Sequence, residues 1–347
     1  MKDERVSTSD LMITEEGLAS GSKLAPIGSL LLLTRGSGLF NGIPLCIVEK
    51  PVAFNQDVKC IESCTDVSNK FIFYWLKSQE EYLRAKLEVT GIGAGKFDTK
   101  FLQELNVPIP CKEERDKIVS IAESISKKII INTKINDNLQ QQALTLFARH
   151  YEQATNTVPF TSVIQILGGG TPKTSTPLFW NGSVPFFTPK DVGTPYTLAT
   201  EKTITEDGLA HCNSRLYPVN TVFVTARGTV GKIGMPGVPM AMNQSCYALV
   251  GKGIDQILVY FYTLQTVQAL KHKASGAVFD AITTRDFENE TIRLISDHAA
   301  AEFLSVATPM FSQILSNSIE NLRLADLRDA LLPHLMTGEI DVSDIDI

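Results

Sequence analysis

The sequence predicts an α/β protein made of two tandem α/β modules, the first of them incomplete, separated by two long helices that pack together in coiled-coil fashion. Three observations predict this. The chain repeats itself in order. Inside each repeat, short apolar strand-like runs outnumber helices. Each repeat closes on a helical segment too long to bury its own apolar stripe.

The repeat rests on five landmarks. ITEEGLA (13–19) returns as ITEDGLA (204–210), and GSLLLLTRGSG (28–38) as NTVFVTARGTV (220–230), each an apolar strand running into an Arg-Gly pair. PVAFNQDVKCI (51–61) returns as PMAMNQSCYAL (239–249), sharing Asn-Gln at 55–56 and 243–244. An amphipathic helix follows in both, then TGIGAGKFDTKFLQELNVPIP (90–110) aligns with SGAVFDAITTRDFENETIRLI (275–295). The second module opens with TSVIQILGGGTPKTSTPLFWNGSVPFFTPKDVG (161–193), and nothing before residue 13 matches it. The first module therefore lacks a counterpart of roughly its first 40 residues.

The elements follow in order. SLLLLT and TVFVTA have the apolar and β-branched density of buried strands. Gly168-Gly169-Gly170 reads as a turn. The clearest helices inside the modules fall at about 70–87 and 255–273. The first long segment carries a stripe of Ile118, Ile121, Ile125, Ile129, Ile135, Leu139, Ala143 and Leu146; the second carries Leu304, Ala307, Phe311, Ile314, Leu322, Ala325 and Leu331. Each runs some 39 residues, roughly 58 Å of helix. Pro309 is expected to kink the second and Pro333 to help end it. The chain thus divides into a first module over 1–110, a first long helix over 111–152, a second module over 153–298, and a second long helix with an acidic tail over 299–347.

Composition narrows the function. With 44% hydrophobic and 20% charged residues the mixture is globular. The first residues, MKDERVSTSD, contain no apolar run of signal-peptide type, and no run approaches the roughly 18 residues of a membrane span, so a cytoplasmic protein with no membrane partner is expected. Six scattered cysteines without a CxxC pair predict free thiols and no metal site. Net charge is −6, but residues 299–347 alone carry two arginines against eight acids, whereas residues 158–298 carry eleven basic and ten acidic side chains. The second module is therefore not repelled from phosphate. Catalytic signatures are missing: Gly231-Lys232 is followed by Ile233, which rules out a phosphate loop, and the five histidines lie apart.

These residues resemble the specificity subunits of type I restriction–modification systems. The run GGGTPKTSTPLFWNGSVPFFTPKDVG looks like the entry to that family's target-recognition domain, ARGTVGKIG and MNQSCYAL resemble its later strands, and LRLADLRDALLPHLMTGEI (322–340) is similar to its closing helix. The resemblance implies two target-recognition domains and an antiparallel coiled coil. It implies a partner set of double-stranded DNA, two methyltransferase subunits and restriction subunits. It implies a chain that binds no cofactor itself, with S-adenosylmethionine, ATP and Mg on the partners. Each module would read half of a bipartite site, with helix length setting the unread spacer. The alternative is an assembly subunit with one working module, a half-subunit that dimerises. An enzyme such as a stand-alone nuclease finds no support in the residues.

The candidate DNA contacts are Arg35, Lys173, Lys190, Arg227, Lys232, Asn243 and Gln244. Arginine can read guanine bidentately, amides can read adenine, and lysine can hold phosphate. For Arg227 a structural reading competes and is favoured, because Arg35 repeats it while base-reading residues should differ between modules. The same repetition, at 55–56, favours a turn role for Asn243-Gln244. Lys173 and Lys190 are equally consistent with solvation. Lys271 and Lys273, ending a helix, suit its dipole.

Overall fold

The computed structural model describes residues 4–91, 93–193, 195–273, 280–343 and 345. The opening of the last sequence landmark, residues 275–279, lies outside them. The elements used below are, in chain order, β1 (Arg5–Val6), α1 (Glu15–Gly21), β2 (Lys23–Ala25), β3 (Leu30–Leu33), β4 (Leu45–Val48), β5 (Val52–Phe54), β6 (Val58–Ile61), α2 (Asn69–Ser78) and the long α3 (Lys112–Gln153). There follow β7 (Ile164–Gly168), β8 (Trp180–Phe187), β9 (Tyr196–Thr197), β10 (Lys202–Ile204), α4 (Glu206–Ala210), β11 (Val222–Thr225), β12 (Ile233–Pro236), β13 (Ala241–Met242), β14 (Cys246–Gly251), α5 (Gln256–Lys273) and the long α6 (Asp297–Met336). Contacts divide the chain into two compact units, Met1–Ile130 with Leu322–Ile347, and Ile131–Asn321, so each boundary falls inside a long helix.

Unit 1 holds a four-stranded sheet in the order β1-β4-β3-β6 and a separate β2-β5 pair. The four leucines of β3 explain the layering. Alternate side chains leave opposite faces of a strand, so Leu30 and Leu32 join Phe71, Tyr74 and Trp75 of α2 in one core, and Leu31 joins Cys46, Val48 and Val52 in another. The helical side is pinned by a polar cluster. Glu123 of α3 accepts hydrogen bonds from Arg5 Nη2 (2.9 Å), Lys70 Nζ (2.8 Å) and Tyr74 Oη (2.9 Å). Burial pushes the Glu123 carboxyl up, but the bonds from Lys70 and Tyr74 and the charge of Arg5 outweigh it and hold the group below the usual carboxylate range.

Unit 2 repeats the plan with more material. Its main sheet runs β7-β14-β11-β12-β9, and a second sheet runs β10-β8-β13. β11 splits as β3 does: Val222 and Val224 face α5, while Phe223 meets Phe187, Tyr217 and Met240. Aromatic rings replace the polar cluster on the helical side. Phe147 of α3 stacks on Phe261 at 5.0 Å and meets Tyr262 and Phe303 edge-on at 5.4 and 5.5 Å.

The long helices pack antiparallel within each unit. In unit 1, Ile118 and Ala122 share a core with Leu332, Leu335 and Met336, and Arg328 Nη1 donates to Ser126 Oγ at 3.1 Å. In unit 2, Asn132 Nδ2 donates to Glu320 Oε2 (2.7 Å) and Asn321 Oδ1 (2.9 Å), Asn317 Nδ2 donates to Asn136 Oδ1 (2.8 Å), and Ala143 shares a core with Phe303 and Ala307. Partner numbers fall as α3 numbers rise, which fixes the direction. The expected stripe is corrected here. Ile135 and Leu322 are exposed, and Asn132, Asn317 and Arg328 occupy the inside. Buried amides cost stability relative to leucine but select one register, since a slip leaves them unpaired. α6 stays one unbroken helix through Pro309 and runs three residues past Pro333.

Candidate nucleic-acid interface

Four loops of unit 2 converge at one end of its sheets, and six of the seven candidate residues ride on them. The first is Gly168-Gly169-Gly170-Thr171-Pro172-Lys173. Gly170 N donates to Met242 O at 3.1 Å, and Thr171 Oγ1 donates to Gln244 Oε1. Gly169 and Gly170 are there because backbone must touch backbone: a Cβ would stand 2.1 Å from Asn243 O on the first and 2.5 Å from Asn213 N on the second. Lys173 is exposed, and its carbonyl accepts the Trp180 indole N–H at 3.4 Å.

The second loop is Thr188-Pro189-Lys190-Asp191. Asp191 Oδ2 accepts Thr188 N (2.8 Å) and Thr188 Oγ1 (2.6 Å), and its Oδ1 accepts Glu201 N (2.8 Å). Asp191 therefore builds the turn that carries Lys190. Lys190 points to solvent and pairs with Glu201 at 3.5 Å, an exposed contact worth at most about 1 kcal/mol.

The third loop, Ala226–Lys232, is the most anchored. Ala226 N and Arg227 N both donate to Ser245 O (2.8 and 3.3 Å), and Ala226 O accepts Ile282 N (2.9 Å). Thr225 Oγ1 accepts Lys232 N at 2.9 Å, Thr229 Oγ1 donates to Pro189 O at 3.3 Å, and Lys271 Nζ donates to Gly231 O at 2.8 Å. Lys271 thus braces this loop, a role beyond the helix-end interaction the sequence suggests. The fourth loop is the turn at Asn243-Gln244. Asn243 Oδ1 accepts Ser245 N at 3.1 Å, and Asn243 N donates to Phe187 O at 2.9 Å.

Unit 1 builds the third and fourth loops again. Thr34 N donates to Asp57 O (2.7 Å), Phe97 N donates to Thr34 O (2.9 Å), and Asn55 Oδ1 accepts Asp57 N (3.1 Å). Arg35 stands beside Lys96 as its cross-strand partner. Repetition of the Asn is therefore explained by its turn. Repetition of the Arg is explained differently: the backbone node is what both units keep, and the Arg35 and Arg227 side chains extend into solvent. Among the described residues no acid pairs with Arg35, Lys173, Arg227 or Lys232. Lys96 went unnoticed in the sequence because its counterpart in the second copy is Ala281. Counterparts of Lys173 and Lys190 do not occur among the described residues of unit 1, and Pro44 stands where Lys232 does, its carbonyl accepting Leu33 N as the Lys232 carbonyl accepts Thr225 N, both at 2.9 Å.

The arrangement presents fixed cations and amides on rigid loops, with nothing among them resembling an acid–base pair. The buried Cys246 thiol is pushed up to about 12 by burial and the Asp191 charge, which makes it inert. Among the described residues no helix is long and apolar enough to cross a membrane.

A family model described as the type I restriction modification DNA specificity domain matches residues 23–141 and 154–319. The chain is 21% identical over 370 residues to the MjaIX specificity subunit of Methanocaldococcus jannaschii, covering 98% of this chain and 84% of that protein. It is 23% identical over 354 residues to the HindI specificity subunit of Haemophilus influenzae, covering 78% and 77%. The fold is similar to the S subunit of a type I restriction–modification system from M. genitalium, with a TM-score of 0.50 and 16% identity over 90% of this chain and 84% of the other.

Proposed function

This chain belongs to the type I restriction–modification DNA specificity family, and from that premise we propose that it is the non-catalytic subunit that reads a bipartite DNA target. One observation carries the reading: four mutually bonded loops of unit 2 hold Lys173, Arg227 and Lys232 outward without acidic partners. Loops that rigid cannot collapse onto their own cations, so the charge stays available to phosphate and base edges. Methyl transfer from S-adenosylmethionine and ATP- and Mg-dependent cleavage then belong to methyltransferase and restriction subunits that bind this chain.

A second reading has its own support. The unit 1 loops carry Arg35 but no counterparts of Lys173, Lys190 or Lys232. An assembly subunit with one working module, paired as a half-subunit with a second copy, fits that poverty. Methylome sequencing of a host carrying this chain with its methyltransferase separates the two. A split asymmetric site supports two reading modules, and a palindrome supports the paired half-subunit. Loss of all modification in the K173A/R227A/K232A variant is expected under both, and unchanged modification there would refute the DNA-reading role of this rim.

A further inference from the structure

One stretch of the two units matches hydrogen bond for hydrogen bond: residues 22–29 (SKLAPIGS) and 214–221 (SRLYPVNT). Ser29 N and Oγ donate to Pro26 O at 3.2 and 2.6 Å, and Thr221 N and Oγ1 donate to Pro218 O at 3.2 and 2.8 Å. Gly28 and Asn220, one residue earlier, both take positive φ, 83° and 69°. At the other end Ser22 Oγ donates to Phe54 O at 3.0 Å, and Met242 N donates to Ser214 Oγ at 3.0 Å. Phe54 and Met242 stand just before Asn55-Gln56 and Asn243-Gln244. Each serine therefore ties its stretch to the backbone beside an Asn-Gln turn.

The residue after each serine is a cation, Lys23 in unit 1 and Arg215 in unit 2, and both are exposed. Arg215 adjoins two of the rim loops. A Cβ on Gly170 would lie 2.5 Å from Asn213 N, and Gly170 N donates to Met242 O at 3.1 Å. Residues 213–216 thus form a fifth loop beside Gly169-Gly170 and Asn243-Gln244. Lys23 lies opposite Phe54 in the antiparallel β2-β5 pair, one residue from the Asn55 turn. Among the described residues no acid pairs with Lys23 or Arg215. The repeat keeps the charge and changes the side chain. Lysine and arginine both hold a phosphate, but only arginine reads guanine bidentately. What two half-sites of different sequence have in common is the sugar–phosphate backbone.

We propose that Lys23 and Arg215 are equivalent backbone anchors, each holding one DNA phosphate and fixing the register of its module on the duplex without reading a base. The proposal rests on the DNA-reading role set out above and adds two positions to it. The leucine after each cation is also exposed, Leu24 by 51% and Leu216 by 48%. The place of the cations beside the Asn-Gln turns favours DNA, and a protein bound to both modules is the outcome the test must separate.

The test measures the affinity of the full chain, by fluorescence anisotropy, for two duplexes: a site selected from a random pool, and a random sequence of the same length. Lys23→Gln and Arg215→Gln should each lower the slope of log affinity against log salt by about 0.9, so that a rise from about 50 to 200 mM salt costs each variant about 3.5-fold less affinity than it costs the unaltered chain. The change should be equal on both duplexes. Lys23→Arg and Arg215→Lys keep the charge and should keep the slope. Circular dichroism melting shows that the variants fold, and where a Gln variant does not, the Met variant at that position takes its place. An unchanged slope in either neutral variant overturns the proposal. So does a changed affinity ratio between the two duplexes, which marks base reading. Loss of a co-expressed methyltransferase subunit with the slope unchanged overturns it in favour of a protein interface. If the unaltered chain binds neither duplex, the DNA-reading role itself falls, and the proposal with it.

Discussion

The helices α1 and α4 show what context does to a nearly identical sequence. ITEEGLA and ITEDGLA both fold into a short helix capped by threonine, with Thr14 Oγ1 accepting Gly17 N at 3.1 Å and Thr205 Oγ1 accepting Gly208 N at 3.0 Å. Around α4 lie β8 and the turn at Pro177–Phe179; α1 buries no residue at all. The cap is local chemistry and survives in both settings. Burial is supplied by neighbours, and among the described residues unit 2 brings more of them over this helix than unit 1 does. The helical sides differ in kind as well: unit 1 relies on charged hydrogen bonds around Glu123, unit 2 on rings around Phe147.

Phe147→Ala tests the aromatic half of that comparison most severely. Removing a ring with 1% exposure should cost about 4 kcal/mol of unit 2 stability, measured by denaturant unfolding with amide exchange reporting each unit. An equal loss in unit 1 would break the comparison.

Glu123 gives the opposite test, through pH. Its folded-state proton affinity is depressed, so its contribution is complete above the ordinary glutamate value of about 4.3 and is lost as pH falls through the lower folded value. Unit 1 should therefore loosen before unit 2 on acidification. Glu123→Gln should cost unit 1 about 2 kcal/mol at pH 7 and flatten its acid loss. A variant that keeps the wild-type pH slope would show that Glu123 is not its source.

The two glycines of the repeated heptapeptide should respond with opposite signs. A Cβ on Gly208 would lie 2.4 Å from Phe179 O, so Gly208→Ala should cost about 2 kcal/mol. A Cβ on Gly17 meets nothing closer than 3.5 Å, so Gly17→Ala should stabilise its helix by up to about 1 kcal/mol. Equal effects in thermal unfolding would mean that the two helices share an environment after all.

The smallest expected effect concerns the rim. If Lys173 holds one phosphate, Lys173→Ala should lower the slope of log affinity against log salt by about 0.9, read by fluorescence anisotropy on the cognate duplex. Arg35→Ala should change affinity less than Arg227→Ala, because fewer cations surround it. The reverse order would place the stronger grip in unit 1.

Much of the fold was legible because it depends on short-range pattern. The leucines of β3, the Thr caps of α1 and α4 and the Asn turns at 55 and 243 each carry their cause within a few residues. The helix seam was legible where apolar side chains fill it, as at Phe311 and Ile314, and not where polar ones do. Ile118 and Ala143 are buried as an apolar stripe requires, but Asn132 displaces Ile135 from the interior because its amide finds Glu320 and Asn321, residues nearly two hundred positions away. Reading the rim met the same limit. The sequence supplied the cations one by one; that Thr171 meets Gln244, or that Lys271 braces Gly231, is a fact of folded space.

By itself the sequence determined the duplicated plan and the two long helices, since repetition and periodicity are properties of the linear chain. Tertiary structure alone decided which of two matching elements is covered, which polar groups enter the helix seam and which loops share a rim. Those outcomes turn on partners distant in sequence, and no local preference of a residue can name its partner.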